Sequence, residues 1–322
     1  MLNIFIQQPQ GLARTTPGSP PSIPDDAIWL DLLEPTPEEE KLVEATLGVD
    51  VPTREEMKEI ETSNRLYEDN GALYMTSTVA AQLDTDRPVS MAVTFILSGS
   101  RLVTNRYLDT KPFQQFIAYA EKHPAACTSP LALLAGLMEA FTERIADVLE
   151  RVGGDLDNIS GGIFAQRGNG TPDSRDLRRM IERIGFNGEL NSKSRESLVS
   201  LGRLLMFVQQ SAPMTGEQRD RFHSISRDVT SLSDHASFLG TKSSFLLEAT
   251  LGLINIEQNN IIKIFSIVAV MLMPPTLVAS IYGMNFHFMP ELSWHLGYPL
   301  AIVLMLVSGL IPYVFFRRRG WL

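Results

Sequence analysis

Cysteine is almost missing from this chain: among 322 residues only Cys127 occurs, so neither a disulfide framework nor a thiolate zinc cluster can be built within it. Long basic runs are missing from everything ahead of the last six residues. That removes the clustered Lys and Arg that a phosphate backbone needs, and with it nucleic acid as a partner. No Gly-rich phosphate loop, HExxH pattern or Ser/His/Asp constellation appears, and only His123, His223 and His235 precede the last sixty residues. Enzymatic chemistry has little to stand on, and no enzyme is expected. The opening Met1-Leu2-Asn3-Ile4-Phe5 lacks a basic n-region and an extended apolar core, so no cleaved secretory signal is expected.

Charge, too, is nearly missing from the tail. Between Ile264 and Phe316 the one formal charge is Glu291. Taking that residue and the three arginines after it from the totals leaves 25 basic and 36 acidic residues in the first 263, a net charge of −11. An acidic front of this size holds one sizeable soluble core or two small ones, and its charge either draws cations or simply keeps the domain soluble. The tail contains two uncharged apolar runs, Ile264 to Met284 and Gly297 to Phe316. Each reaches the roughly 20 residues an α-helix needs to cross a hydrocarbon core about 30 Å thick. Two crossings of a lipid bilayer are expected. Arg317, Arg318 and Arg319 follow the second run, Lys263 precedes the first, and the loop between has no Lys or Arg. The positive-inside rule then puts both termini in the cytoplasm.

The sequence divides into an α/β domain over 1–130, a helical region over 131–216, a stalk helix over 217–263, a first span over 264–284, an outer loop over 285–296, a second span over 297–316 and a basic tail over 317–322. In the α/β domain, Ala27 to Leu33 reads as a strand. Thr36 to Leu47 reads as a helix with a threonine cap, proline at its first position and acids in its first turn. Leu73 to Ala80 and Met91 to Leu97 read as strands, the latter joined by Ser98-Gly99-Ser100 to Arg101 to Asn105 as a hairpin. Leu131 to Val152 and Asp176 to Gln210 are helical, separated by a Gly168-Asn169-Gly170-Thr171-Pro172 break. No proline lies between Pro213 and Pro274, so one helix from near Glu217 to Tyr282 is expected, a continuous lever weakened locally by Gly216, Gly240 and Gly252. Pro274-Pro275 removes two N–H donors, which calls for a bend or a substitute partner.

Reading back from the loop in steps of three and four gives Gly283, Ser280, Thr276, Met273, Ala269, Ser266, Ile262 and Asn259, a mostly small or hydroxylated stripe. Such a stripe serves either close helix packing or a wet path, and the residues alone leave both open. A path needs several copies around an axis, since two spans cannot enclose one. Conduction therefore implies a homo-oligomer.

The loop opens Tyr282-Gly283-Met284-Asn285-Phe286, continues to Met289-Pro290-Glu291-Leu292, and the chain closes on Arg317-Arg318-Arg319-Gly320-Trp321-Leu322. Together with the paired spans, this resembles the CorA family of magnesium channels. The likeness extends back through Gly252-Leu253-Ile254-Asn255-Ile256-Glu257-Gln258-Asn259 and Glu61-Thr62-Ser63-Asn64-Arg65. It implies a funnel-shaped pentamer with Gly283, Met284 and Asn285 as selectivity filter. Asn259, Met273 and Thr276 would line the path, with Ser280 added from the stripe, and Phe265 falls near the apolar gate. Mg2+ would be both cargo and regulator, with no organic cofactor. Entry would run inward across a bacterial inner membrane, Co2+ and Ni2+ following, and cytoplasmic divalent cations would hold the channel closed. Glu248 is a candidate regulatory ligand, Glu291 a candidate attractor of cations at the outer mouth, and Arg317 to Arg319 a cytoplasmic basic ring. The alternatives are a zinc or other transition-metal transporter, for which His287 and His295 supply imidazoles, and a two-span anchor for a scaffold or sensor.

Overall fold

The computed structural model describes residues 1–15, 22–59, 61–164, 174–285, 287 and 289–321. Its front half is built on a seven-stranded sheet: β1 Leu2–Gln8, β2 Gly11–Thr15, β3 Ala27–Leu33, β4 Leu66–Asp69, β5 Ala72–Ala81, β6 Val89–Ser98 and β7 Arg101–Arg106. The order across the sheet is β2-β1-β3-β7-β6-β5-β4, with β3 and β7 parallel and every other neighbour pair antiparallel. Alternation along the strands separates two cores. Trp29, Phe95, Leu97 and Leu102 face one side, while Leu30, Leu32, Ile96 and Val103 face the other.

Helices cover both faces, as an α/β layer requires. Helix α1, Pro37–Leu47, lays Val43 on the second core. It begins with a full capping box: Glu39 N donates to Thr36 Oγ1 at 3.3 Å and Thr36 N to Glu39 Oε2 at 2.9 Å. Then come the short α2, Thr62–Arg65, and α3, Lys111–Ala120, whose Phe113 and Phe116 join the first core. Helix α4, Pro130–Phe164, shares that core through Leu134, Met138, Phe141 and Ile145.

A polar network sits inside the first core. Asp31 and Arg106 are buried and paired two-pronged, with Arg106 Nε 2.8 Å from Asp31 Oδ1 and Nη2 2.9 Å from Oδ2. Thr104 and Asn3 donate to the same carboxylate at 2.8 and 3.0 Å, and Trp29 Nε1 donates to Thr104 Oγ1 at 3.0 Å. The guanidinium lies 4.1 Å from the centre of the Phe113 ring. Burial alone would lower the Arg106 pKa, but the hydrogen bonds and charges of Asp31 and Asp109 outweigh it and raise it.

Helix α5, Ser174–Ser211, and helix α6, Gly216–Tyr282, complete the helical part. Asn191 Nδ2 donates to Ala236 O at 2.9 Å, Lys242 pairs with Asp157 at 2.6 Å, and Arg221 grips Glu139 with both Nε and Nη2. The chain forms two compact units that divide along α6 between Leu247 and Glu248, the second also taking in the first residues of α5 up to Arg178. The second unit holds the end of α6, a 3-10 turn Pro290–Ser293 and helix α7, Gly297–Arg318. By length and composition α6 and α7 are apolar enough to cross a membrane.

One departure from sequence expectation has a local cause: helix α4 continues past Val152, because buried Leu156 and Ile159 extend its apolar face beyond Gly153-Gly154. Helix α6 runs unbroken through Gly240 and Gly252, as the single long helix expected. Gly240 sits where a Cβ would come within 3.2 Å of Asn191 Nδ2, so packing against α5 offsets its weak propensity. The expected break at Gly168 to Pro172 lies outside the described residues.

Candidate functional site

The membrane-spanning end of α6 has two faces, and α7 takes one of them. Ile267 is buried, and a Cβ built on Gly309 would lie 3.3 Å from Pro275 Cγ and 3.4 Å from the Met271 carbonyl oxygen. That carbonyl is the one Pro275 leaves without its helical N–H partner. The bare Cα of Gly309 lets α7 come close to it. The double proline is accommodated within a continuous helix, with α7 packed closely beside Pro275.

Successive helical residues turn by about 100°. Ile267, Met271 and Pro275 share one side, and Ala269, Met273, Thr276 and Ser280 fall roughly opposite. The stripe read from the sequence thus points away from α7. Asn259, Met273, Thr276 and Ser280 are all exposed in the single chain, Met273 at 67%. Phe265 is exposed at 71%. The Thr276 hydroxyl donates to Leu272 O at 2.8 Å, so its proton is engaged within the helix and its lone pairs are what it presents outward. An oxygen that only accepts suits the water shell of a cation, whose hydrogens point outward.

Helix α6 ends at the loop motif. Gly283 N donates to Ala279 O at 2.9 Å and Met284 N to Ile281 O at 3.2 Å, after which Asn285 is exposed and free of regular structure. The last turn carries no basic residue, so the partial negative charge of the helix C-terminus falls uncompensated beside Gly283, Met284 and Asn285. Phe286 and the Glu291 side chain lie outside the described residues. His287 and His295 are exposed. The Pro290–Ser293 turn is tied by Ser293 Oγ donating to Pro290 O at 2.7 Å, and Gly297 N donates to Trp294 O at 3.1 Å as α7 begins.

At the other end of α7, Gly320 adopts φ +68 and Trp321 N donates to Phe316 O at 3.0 Å. This left-handed ending is one that glycine adopts without strain. It folds Trp321 onto Phe316, ring centres 5.5 Å apart, with Lys263 Nζ 5.6 Å from the indole. Arg317, Arg318 and Arg319 are exposed here.

Glu248 is exposed on α6, and among the described residues no group of three or more His, Cys, Asp or Glu side chains assembles as a metal site. The acids that do gather lie in the α/β layer, where Asp50, Glu56 and Glu59 share a cleft with Asn64 and Tyr67. Burial, then the charges of Glu44 and Glu56, raises the Asp50 pKa, and burial beside Tyr74 pushes Tyr67 up to about 12. Of the Glu61 to Arg65 region, Asn64 Nδ2 donates to Glu59 Oε2 at 2.6 Å and Arg65 Nη1 to Thr78 Oγ1 at 2.9 Å. Sequence reasoning missed Gly309 as the partner of Pro275. The signal was there, since a proline pair inside a span needs a close neighbour and Gly309 is the one glycine within α7 beyond its first residue.

A family model described as CorA-like Mg2+ transporter protein matches residues 24–318. Two relatives, each a "Magnesium transport protein CorA", from Salmonella typhimurium strain LT2 and Escherichia coli K12, are 38% identical over 298 residues, covering 92% of this chain and 92% of each relative. Among solved structures, the complete CorA magnesium transporter of Methanocaldococcus jannaschii superposes with a TM-score of 0.78 at 20% identity, covering 100% of this chain and 99% of that one. The ZntB cytoplasmic domain of Vibrio parahaemolyticus gives 0.58 at 9% identity, over 79% of this chain and 97% of that one. At these identities the structural likenesses speak to fold alone.

Proposed function

Since the chain belongs to the family of CorA-like Mg2+ transporter proteins, we propose that it assembles as a homo-oligomer, a pentamer by family resemblance, and conducts hydrated Mg2+ inward across a bacterial inner membrane. It is an ion transporter and not an enzyme. In this reading 264–284 and 297–316 are the spans, 285–296 the outer loop, 217–263 the stalk and 317–322 a cytoplasmic tail. The observation that carries it is the polar stripe of α6, turned away from α7 and exposed in the single chain. Copies of α6 around an axis would turn Asn259, Met273, Thr276 and Ser280 inward, with Phe265 as gate and Gly283, Met284 and Asn285 at the outer mouth.

The chemistry of the mouth favours Mg2+ with its water kept. This ion gives up its shell reluctantly, and a ring of neutral amide and carbonyl oxygens, at the negative ends of the α6 helices, can accept from that shell without stripping it. Glu291 would raise the local cation concentration. A divalent charge gains roughly 4.6 kcal/mol per 100 mV of inside-negative potential, so no ATP is needed. Conduction of Co2+ and Ni2+ belongs to the same reading, as does closure by cytoplasmic divalent cation. The regulatory site would take ligands from more than one copy, with Glu248 a candidate.

The test is Mg2+ uptake into liposomes carrying a trapped Mg2+-sensitive dye. Asn285→Ala should abolish uptake while the oligomer still assembles, and normal uptake in that variant would reject the filter assignment. Adding Co2+, Ni2+ or Zn2+ outside in the same assay reads the ion spectrum. Zinc flux that ignores Mg2+ would favour the transition-metal alternative.

A further inference from the structure

The face of α7 turned away from α6 carries a groove lined by Val307, Leu310, Ile311 and Val314, with Arg318 and Arg319 at its end. On the helical wheel Val307, Leu310, Ile311, Val314 and Arg318 lie roughly opposite Ala301 and Gly309, the side that approaches α6, while Arg319, one residue past the helix, reaches the groove from beside Phe315. From the α6 stripe outward the order is therefore α6, α7, groove. If the stripe faces water, the groove lies farthest from it, toward acyl chains. Arg317 does not line the groove.

Charge at this end is one-sided. Among the described residues neither Arg318 nor Arg319 forms an ion pair, and the one acid between Ile264 and the end of the chain, Glu291, stands before α7 begins. The Arg319 guanidinium rests 5.3 Å from the centre of the Phe315 ring, which holds it beside the groove with its donors available. Phe316, Trp321 and Lys263 form an amphipathic cluster at the same end, of the kind that marks a membrane interface. An apolar trough ending in two guanidinium groups at interface depth matches one occupant, a lipid with acyl chains and an anionic phosphodiester head.

We propose that this groove is a selective site for an anionic phospholipid of the leaflet at the C-terminal end of α7. The inference rests on the transport reading only in taking α6 and α7 as membrane spans. Its test counts lipids retained on the detergent-purified full-length protein by native mass spectrometry, using phosphatidylglycerol and phosphatidylcholine of identical chains. The wild type should keep phosphatidylglycerol several-fold over phosphatidylcholine. Arg318→Gln with Arg319→Gln should lose that preference, Arg317→Gln should keep it, and glycerol phosphate should not displace the lipid. If the double glutamine variant does not fold, Ile311→Trp tests the same site by filling the trough with its charges intact, and should also lose the preference.

Equal retention of both lipids, or a loss as large in Arg317→Gln, would overturn the proposal. Efficient intersubunit cross-linking of Leu310→Cys would do so too, since a second copy would then fill the groove. Flux is measured separately in liposomes. Normal flux with no lipid preference would sink this inference alone, and a lipid preference without flux would sink the transport reading alone.

Discussion

The chain holds two units that solve opposite problems. In the first unit a matched polar set is buried: Asp31 accepts from Arg106, Thr104 and Asn3, and Trp29 donates to the same threonine. From Glu248 onward, only Thr250, Ile267 and Ala301 are buried among the described residues, while Leu272 and Leu277 stand 60% and 61% exposed. The first unit carries its interior with it. The second has the composition of an interior and lacks the surroundings, which lipid and further copies of α6 would supply. Stability in the first unit is thus a matter of internal pairing, and in the second of close helix approach and environment.

Breaking the internal pairing should have the largest effect. Arg106→Ala leaves the Asp31 carboxylate buried without its counter-charge, and should cost roughly 3–5 kcal/mol by thermal or urea unfolding of the full chain. Asp31→Leu combined with Arg106→Met should recover most of that loss, because no charge is then left buried. A double variant as unstable as the single one would show that the network acts through shape instead.

In the second unit the matching experiment is Gly309→Leu. The side chain has no room against Pro275 and Met271, so α7 must withdraw, at about 1–3 kcal/mol. Thermal stability in detergent should fall, and an unchanged melting temperature would mean that the two helices do not depend on this approach.

The smallest expected effect is on the surface of the first unit. Hydrogen bonds from Lys111 and Arg144, then Arg151, hold the Asp84 carboxyl well below its ordinary range. A depressed folded pKa stabilises above the unfolded value and loses that contribution as pH falls. Asp84→Asn should therefore destabilise at pH 7 by at most about 1 kcal/mol, since the site is partly exposed. The difference from wild type should begin to shrink below about pH 5 and go on shrinking to the lowest pH at which the protein stays folded. A gap that does not narrow over that range would assign the effect to shape and not to charge.

What could be read in advance follows the range of the interactions. The α1 start was legible because Thr36, Pro37 and Glu39 act within one turn, and β3 and the β6–β7 hairpin because alternation and a tight turn are local. The Asn70-Gly71 turn joining β4 to β5 carried an equally local signal that the sequence reading passed over. Asp31 is visible in the sequence as a charge inside an apolar strand, but its partner sits 75 positions on and nothing local points to it. The α6 stripe was legible from periodicity. That α7 covers the opposite face was not, because Gly309 and Pro275 meet only through the packing of two helices. A regulatory cation site leaves no local pattern if its ligands come from different copies.

The most direct test of the account asks which side of α6 meets water. Cys127, the sole cysteine, is buried, and burial pushes its thiol up to about 11, so it should stay silent toward aqueous thiol reagents. In reconstituted protein Thr276→Cys and Ser280→Cys should each be modified by a membrane-impermeant methanethiosulfonate, with Mg2+ flux blocked, while Met271→Cys, on the α7 side, should not react. Modification of Met271→Cys with Thr276→Cys and Ser280→Cys inert, in the presence and absence of Mg2+, would contradict it.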